Sequence, residues 1–442
     1  MKDEMLSSIP GIVKEPERSA EVIPIETRLN MDERMACLIV AGYDEQNKRM
    51  IHSIDGKDYF KQQVPIDGKP LLSYPIKAAL DSQRISNVYV VGNPDIIEEA
   101  AKAAHPARLM PPRVKVIRQI GIVTDNIHHS IEEYIRPYNE KRRERCVEHH
   151  PSENVTVRYP PNIDDRVLVL TSDTCFITGK DIDDFIDRAG YADIIGSFAN
   201  GSAYDLMLKE LCLDIDRAKT KTSMFPLARG TVRSNNMFLV RYRYVAPEMY
   251  KLFQNVYDAR RVVDKHGRMT KAGLLGLLKK ENKLLWDSAI EMKKREYKLR
   301  CQDNLEFYMK LGVPVSIDVK EMRADESMIP SRAEKTVLKG TINEYGCMLA
   351  FYLAYKIYKL NEKISDSIGI PVIPNIPRAL MLWDRDLEKT ASELLANSLT
   401  LSICRTDRIG PMLDIDVQEM YDVLAKDNFS NFKRIREYLA KP

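Results

Sequence analysis

The chain has 442 residues, 44% hydrophobic and 30% charged, too long for one small module and with ample apolar material for a core. Lys and Arg total 67 against 64 Asp and Glu, a formal charge of +3, which argues against a dedicated nucleic-acid binder because such proteins carry a basic excess. Seven cysteines without a C-x-x-C spacing exclude a zinc knuckle, argue against a disulfide framework and point to a reduced, cytoplasmic protein.

Residues 1–34 mix acids, bases and prolines and lack the apolar core of a signal peptide, so they read as an arm. From Ala36 the pattern changes. ACLIVAG (36–42) is a short apolar run ending in glycine, as expected of a buried strand that feeds a loop. KPLLSYPIKAAL (69–80) has helical spacing, NVYVVG (87–92) is a second strand, PDIIEEAAKAA (94–104) a helix with proline at its start, and VKVIRQ (114–119) a third strand. TDNIHHSIEEYI (124–135) reads as a helix, RVLVLTSD (166–173) as a strand, GKDIDDFIDRA (179–189) as a helix and ADIIGSF (192–198) as a strand. This alternation predicts an α/β fold with a Rossmann-like, mixed but mostly parallel sheet flanked by helices. The polar stretch 136–165 carries KRRER (141–145) and His149–His150, which read as a solvated surface loop.

NNMFLVRYRYV (235–245) is one more strand. Beyond it, 246–398 has mainly helical spacing, including the apolar stripe of GCMLAFYLAYKIYKLNEK (346–363) with Phe351, Tyr355 and Tyr358. That stripe suits core or a subunit interface, which leaves a homo-oligomer through the helical region open. Its apolar run, Gly346 to Tyr355, is about half of the ~20 residues a membrane span needs. LTLSICRT (399–406) is a strand and DVQEMYDVLAKDN (416–428) a closing helix. The organisation expected is therefore an arm at 1–34, a discontinuous domain at 35–245 and 399–442, and a helical insertion at 246–398.

Three places carry chemistry. The loop after the first strand offers Gly42, where a backbone approaches a ligand closely, and Arg49 and Lys61, cations suited to phosphate oxygens. It is neither a Walker A loop nor a dinucleotide fingerprint. LTSDTCF (170–176) puts Asp173 after an apolar strand, at the carboxyl edge where open α/β sheets bind ligands. MLDIDVQEM (412–420) puts Asp414 and Asp416 two apart, on one side of an extended segment. Each aspartate also reads as an ordinary turn or helix-capping residue. A second acid beside Asp173 makes a hard-oxygen site suited to magnesium.

In this order, the strand ending in AG, the later RM and K, P-x-x-GKPLL, VLVLTSD and finally DIDVQEMYDVL resemble the MobA-like nucleotidyltransferases of the nucleotide-diphospho-sugar transferase superfamily. The resemblance spans about half of the chain. It implies a Rossmann-like sheet that binds a nucleoside triphosphate at its first loop, with Ala41, Gly42, Arg49 and Lys61 at the triphosphate. It implies Asp173 and Asp416 as Mg2+ ligands, with Asp414 as a further candidate. GIVTDNIHHSI resembles the nucleobase segment, which implies Asn126 and Ser130, and RSNNMFLV the strand near the acceptor, which implies Asn235 and Asn236. The loop between Gly42 and Lys61 is longer and poorer in glycine than in that family, and SIDVKEM (316–322) offers Asp318 as a rival to Asp416. The activity implied is transfer of a nucleotidyl group from an NTP to a phosphorylated sugar or alcohol, without nucleic acid or a membrane span. The alternatives are a glycosyltransferase using an NDP-sugar, and a non-catalytic nucleotide-binding or scaffolding module.

Overall fold

The computed structural model describes residues 34–42, 51–54, 56–105, 107, 109–140, 166–190, 192–213, 215, 224–227, 230–242, 384, 388–389, 400–415 and 418–440. Strand β1 (Met35–Ala41) is followed by the hairpin β2 (Ile51–Ile54) and β3 (Lys57–Phe60), a 3-10 turn at Lys61–Gln63, and the two-residue pair β4 (Pro65–Ile66) and β5 (Lys69–Pro70). Then come α1 (Ser73–Asp81), β6 (Ile85–Gly92), α2 (Pro94–Ala104), β7 (Val114–Arg118) and α3 (Val123–Ser130), which runs on through a π-type turn at Ile131–Ile135. After β8 (Arg166–Thr171) follow α4 (Gly179–Arg188), β9 (Ile194–Asn200), α5 (Gly201–Glu210), β10 (Phe225–Leu227), β11 (Gly230–Arg241), β12 (Leu401–Thr406) and α6 (Gln418–Ala440).

The main sheet has the order β12-β9-β11-β8-β1-β6-β7, with β10 on β11. Pairings are parallel except those of β11, which runs antiparallel to β8 and β9. Its mixed, mostly parallel character is the α/β arrangement expected from the alternating pattern. In β1 the period of two divides the core: Cys37, Ile39 and Ala41 join the layer under α1, α2 and α4, while Ala36 and Leu38 pack with Ile131 and Ile135 beyond α3. A strand apolar on both faces is buried on both faces, which is why ACLIVA shows no alternation.

A third cluster joins α5 and α6 to the loop after β3. Val64, Ile66, Leu71 and Tyr74 pack with Cys175, Phe176, Ile415, Met420, Leu424, Phe432 and Ile435. The Tyr74 and Phe432 rings meet edge-on at 5.6 Å, and the Arg436 guanidinium lies 5.6 Å from the Tyr74 ring. The last helix thus clamps the segment that carries Lys61.

Several details depart from the sequence pattern. Helix α5 and the small hairpins have no strong period and escape a periodic reading. Helix α6 is broken at Lys426–Phe429, where Asp427, Asn428 and Phe429 all have positive φ. Asp and Asn tolerate that region through local hydrogen bonds, and the Asn431 side-chain amide donates to the Val423 carbonyl across the break at 2.8 Å. The helix expected at 416–428 therefore ends early, and a second arm follows it. The arm at 1–34 (apart from Arg34), the KRRER and His149–His150 stretch, and almost all of 246–398 lie outside the described residues. No helix of the described residues is long and apolar enough to cross a membrane.

Candidate active site at the carboxyl edge of the sheet

β1, β6, β8 and β9 run the same way, so their carboxyl ends share one edge, and antiparallel β11 begins there. Asp173 follows β8 by two residues. Its Oδ2 accepts from Lys61 Nζ at 2.6 Å and its Oδ1 from Thr171 Oγ1 at 2.5 Å. The Lys61 and Asp173 side chains are only 10% and 15% exposed, so the pair is mostly sheltered from solvent screening. Lys61 reaches it from the 3-10 turn after β3, which is closed by the Val64 amide donating to the Lys61 carbonyl at 3.3 Å.

The C-terminal segment closes the other side. β12 pairs in parallel with β9 from Leu401 with Ile194 to Thr406 with Ala199, and the chain then turns through Gly410–Met412 back under the loop after β8. Asp414 makes an isolated antiparallel bridge with Thr174, and the Ile415 amide donates to the Asp173 carbonyl at 3.2 Å. Asp414 Oδ1 accepts from Arg233 at 2.5 Å and its Oδ2 from Asn236 Nδ2 at 3.1 Å. Arg233 and Asn236 come from β11, which is irregular between Ser234 and Phe238. Asn236 sits there at φ 57°, with its amide donating to the Ser234 hydroxyl at 3.2 Å. Asn236 lies within this irregularity, whereas Arg233 precedes it, in register with Ala199 of β9.

Gly42 ends β1. A Cβ there would lie 3.1 Å from the Asn126 amide nitrogen and 3.2 Å from Gln119 Oε1, and the Gly42 carbonyl accepts from Gln62 Nε2 at 3.2 Å. The absence of a side chain at Gly42 lets three carboxamides, those of Gln62, Gln119 and Asn126, crowd against the backbone there.

The expected site residues therefore divide. Ala41, Gly42, Lys61, Asp173, Asp414 and Asn236 gather at the carboxyl edge. Asn126 borders Gly42, but its side chain is nearly buried and is spent on the 120–121 loop: Oδ1 accepts from the Ile120 and Gly121 amides at 2.8 and 3.3 Å, and Nδ2 donates to the Gly121 carbonyl at 2.9 Å. Ser130 is fully buried and donates to the Asn126 carbonyl at 2.7 Å, an interaction within its own helix. Asn235 is fully buried as well, and its Nδ2 joins Ser197 Oγ at 2.9 Å to the Arg408 carbonyl at 3.1 Å, tying β11 to β9 and to the returning segment. These three side chains hold the frame of the site rather than face it. Arg49, Asp318 and Asp416 lie outside the described residues. Sequence reasoning missed Arg233, Gln62 and Thr171; an Arg on a strand with no acid nearby in sequence carries no signal of its partner.

Two basic side chains, two carboxylates and a glycine corner at one sheet edge can bind a polyanion and a hard cation together. Among the described residues no three His, Cys, Asp or Glu side chains converge on one point. A cation here would find fewer than three such ligands among the described residues and would draw its remaining donors from elsewhere.

No family model and no curated protein matches the chain. Among solved structures, a hypothetical transferase from Thermus thermophilus is 15% identical, covers 88% of this chain and 99% of its own, and gives a TM-score of 0.39. CMP:2-keto-3-deoxy-manno-octonic acid synthetase complexed with CTP is 13% identical over 51% of this chain and 78% of its own, with a TM-score of 0.29. The 4-diphosphocytidyl-2C-methyl-D-erythritol synthase from Anaerococcus prevotii is 7% identical over 51% and 77%, again at 0.29. These are distant likenesses, and the chemistry of the site rests on its own residues.

Proposed function

We propose that the chain is a magnesium-dependent nucleotidyltransferase that moves an NMP group from an NTP to a phosphorylated sugar or alcohol and releases pyrophosphate. The observation that carries this reading is the meeting of Asp173, Lys61 and the 413–415 segment at the carboxyl edge of the sheet, the edge at which β1 gives way to Gly42. The residues fit magnesium: carboxylate oxygens are its preferred donors, and it commonly takes one or two of them and completes its shell with water and substrate phosphate. Asp173 and the 414–416 acids would hold it, with Asp416 assigned by the sequence resemblance. When bound it neutralises phosphate oxygens and polarises the α-phosphate.

The protein's own groups do the rest. The triphosphate is assigned to the backbone at Ala41 and Gly42 by the sequence resemblance, and Lys61 and Arg49 stabilise the charge that grows on the departing pyrophosphate. An oxygen of the acceptor phosphate attacks the α-phosphorus, the bond to the α,β-bridging oxygen breaks, and pyrophosphate leaves with that electron pair. The acceptor oxygen is already anionic, so no general base is needed. Asn236, which meets Asp414, is assigned to the acceptor by the sequence resemblance, and Arg233 pairs with the same carboxylate.

Pyrophosphate release is to be measured with CTP, GTP, UTP and dTTP, each with magnesium and a panel of sugar phosphates and phosphorylated alcohols. Release that requires NTP, acceptor and magnesium together supports the reading. Consumption of NDP-sugars without pyrophosphate indicates a glycosyltransferase instead, and turnover of neither class indicates a binding module.

A further inference from the structure

Among the described residues β12 is the last strand of the sheet, with β9 on one side of it and no strand on the other. An edge strand turns alternate backbone groups away from its neighbour. Here side chains take them. Glu388 Oε1 accepts from the Ile403 amide at 2.7 Å and from the Ser402 hydroxyl at 3.1 Å, and the Arg405 carbonyl accepts from the Arg188 guanidinium of α4 at 2.7 Å. Asp384 engages Arg405 in a paired, fork-like contact: Nε donates to Oδ2 at 2.7 Å and Nη2 to Oδ1 at 2.8 Å. Both side chains are only 15% exposed, so solvent screens the pair weakly. Asp384 and Glu388 are both helical, and residues four apart lie on one helix face. They belong to the stretch that the sequence marks as a helical insertion, and they grip β12 together.

The grip continues towards the site. Arg405 Nη1 donates to Asn200 Oδ1 at 3.4 Å, and Asn200 Nδ2 donates to Asp407 Oδ1 at 2.8 Å. Between Asp407 and Asp414 the chain is short, and Ile409–Leu413 are all buried. The Arg408 carbonyl is held by Asn235, and the Ile415 amide by the Asp173 carbonyl. A close-packed segment passes a shift at one end to the other, because it has no slack to absorb it. We infer that Asp384 and Glu388 are a latch on β12 that sets the position of the 407–415 segment, and with it the place of Asp414 beside the loop that carries Asp173. Arg405 is the positioning residue in this latch, since its planar guanidinium joins Asp384 to Asn200 in one fixed geometry. The insertion thereby acts on the site without supplying a group to it.

The test is amide hydrogen exchange of the full chain, read by mass spectrometry on peptides covering 408–415. The Met412, Leu413 and Ile415 amides donate to the carbonyls of Ile409, Gly410 and Asp173, so their exchange reports how firmly the segment is docked. Asp384→Asn combined with Glu388→Gln is expected to speed their exchange at least ~10-fold, because a mostly buried ion pair loses one charge, while the amides of β1 and β6 keep wild-type protection. Asp384→Glu, which keeps the charge, should lose less than Asp384→Asn, and Lys389→Ala should change nothing. If the double variant does not fold, Arg405→Gln alone breaks the same latch and is read in the same way. Wild-type protection over 408–415 in a folded latch variant overturns the inference. So does an equal loss of protection in β1 and β6, which makes the contact a general support of the fold. The readout involves neither nucleotide nor metal, so it stands or falls apart from the nucleotidyltransferase reading.

Discussion

The backbone amide of Ile415 donates to the carbonyl of Asp173 at 3.2 Å, which fastens the loop after β8 to a segment that arrives from the far end of the chain. That one contact decides how the site is assembled. It sets Asp414 against Thr174 and goes with the packing of the last helix against the segment that follows Lys61.

Asp173→Asn is expected to retain the fold and lose magnesium-dependent pyrophosphate release. The amide preserves a contact with Thr171 but removes the charge that Lys61 and a cation both need, at a stability cost of roughly 1–3 kcal/mol for a mostly buried pair that loses one charge. Turnover assays with parallel thermal unfolding check this. A folded Asn variant with wild-type turnover removes Asp173 from the chemistry.

Asp193→Ala should destabilise the chain strongly without touching the site. Asp193 is buried; it pairs with Arg241 at 2.9 Å and accepts from both the amide and the hydroxyl of Thr400 at 2.9 Å. Those bonds pin the start of β12 to the sheet. Removing the carboxylate takes an ionic partner from the mostly buried Arg241 and the acceptor from Thr400, which costs roughly 2–3 kcal/mol or more. Urea unfolding gives the loss directly, and a change under ~1 kcal/mol contradicts the pinning role.

Gly42→Ala should cost little stability and much nucleotide affinity. The added Cβ would meet two side-chain ends at 3.1 and 3.2 Å, and carboxamides shift by a few tenths of an ångström more readily than backbone. The methyl would fill the corner assigned to the triphosphate. Isothermal titration with the preferred NTP and magnesium should show at least ~10-fold weaker binding, a change of about 1.4 kcal/mol; equal affinity places the triphosphate elsewhere.

Iodoacetamide near pH 8, read by peptide mass mapping, should label Cys212 and spare Cys37 and Cys175. Cys212 is exposed, while the other two are fully buried and desolvation pushes their thiols well above the ordinary range. The thiolate is the reactive form, so modification of Cys37 or Cys175 as fast as Cys212 contradicts the packing around β1 and Phe176.

The sequence by itself determined the alternation of strands and helices and the place of Gly42 and Asp173, because both follow from local period and from the rule that a buried strand ends at a polar loop. Helix α4 was legible from its period over 179–189, and the structure adds its cap: the Thr178 side chain accepts from the Asp181 amide, and the Asp181 carboxylate from the Thr178 amide. What tertiary structure decided was pairing. The antiparallel course of β11, its bulge at Ser234–Phe238 and the return of β12 onto β9 depend on contacts between segments far apart in the chain. Neighbouring Asn235 and Asn236 look alike in sequence, yet one is buried as a strut and the other meets Asp414. Their environments differ because neighbouring residues of a strand face opposite ways, and only the sheet pairing decides which face meets Ser197 and which meets Asp414. For the same reason the partner of Arg233 was invisible until Asp414 arrived beside it.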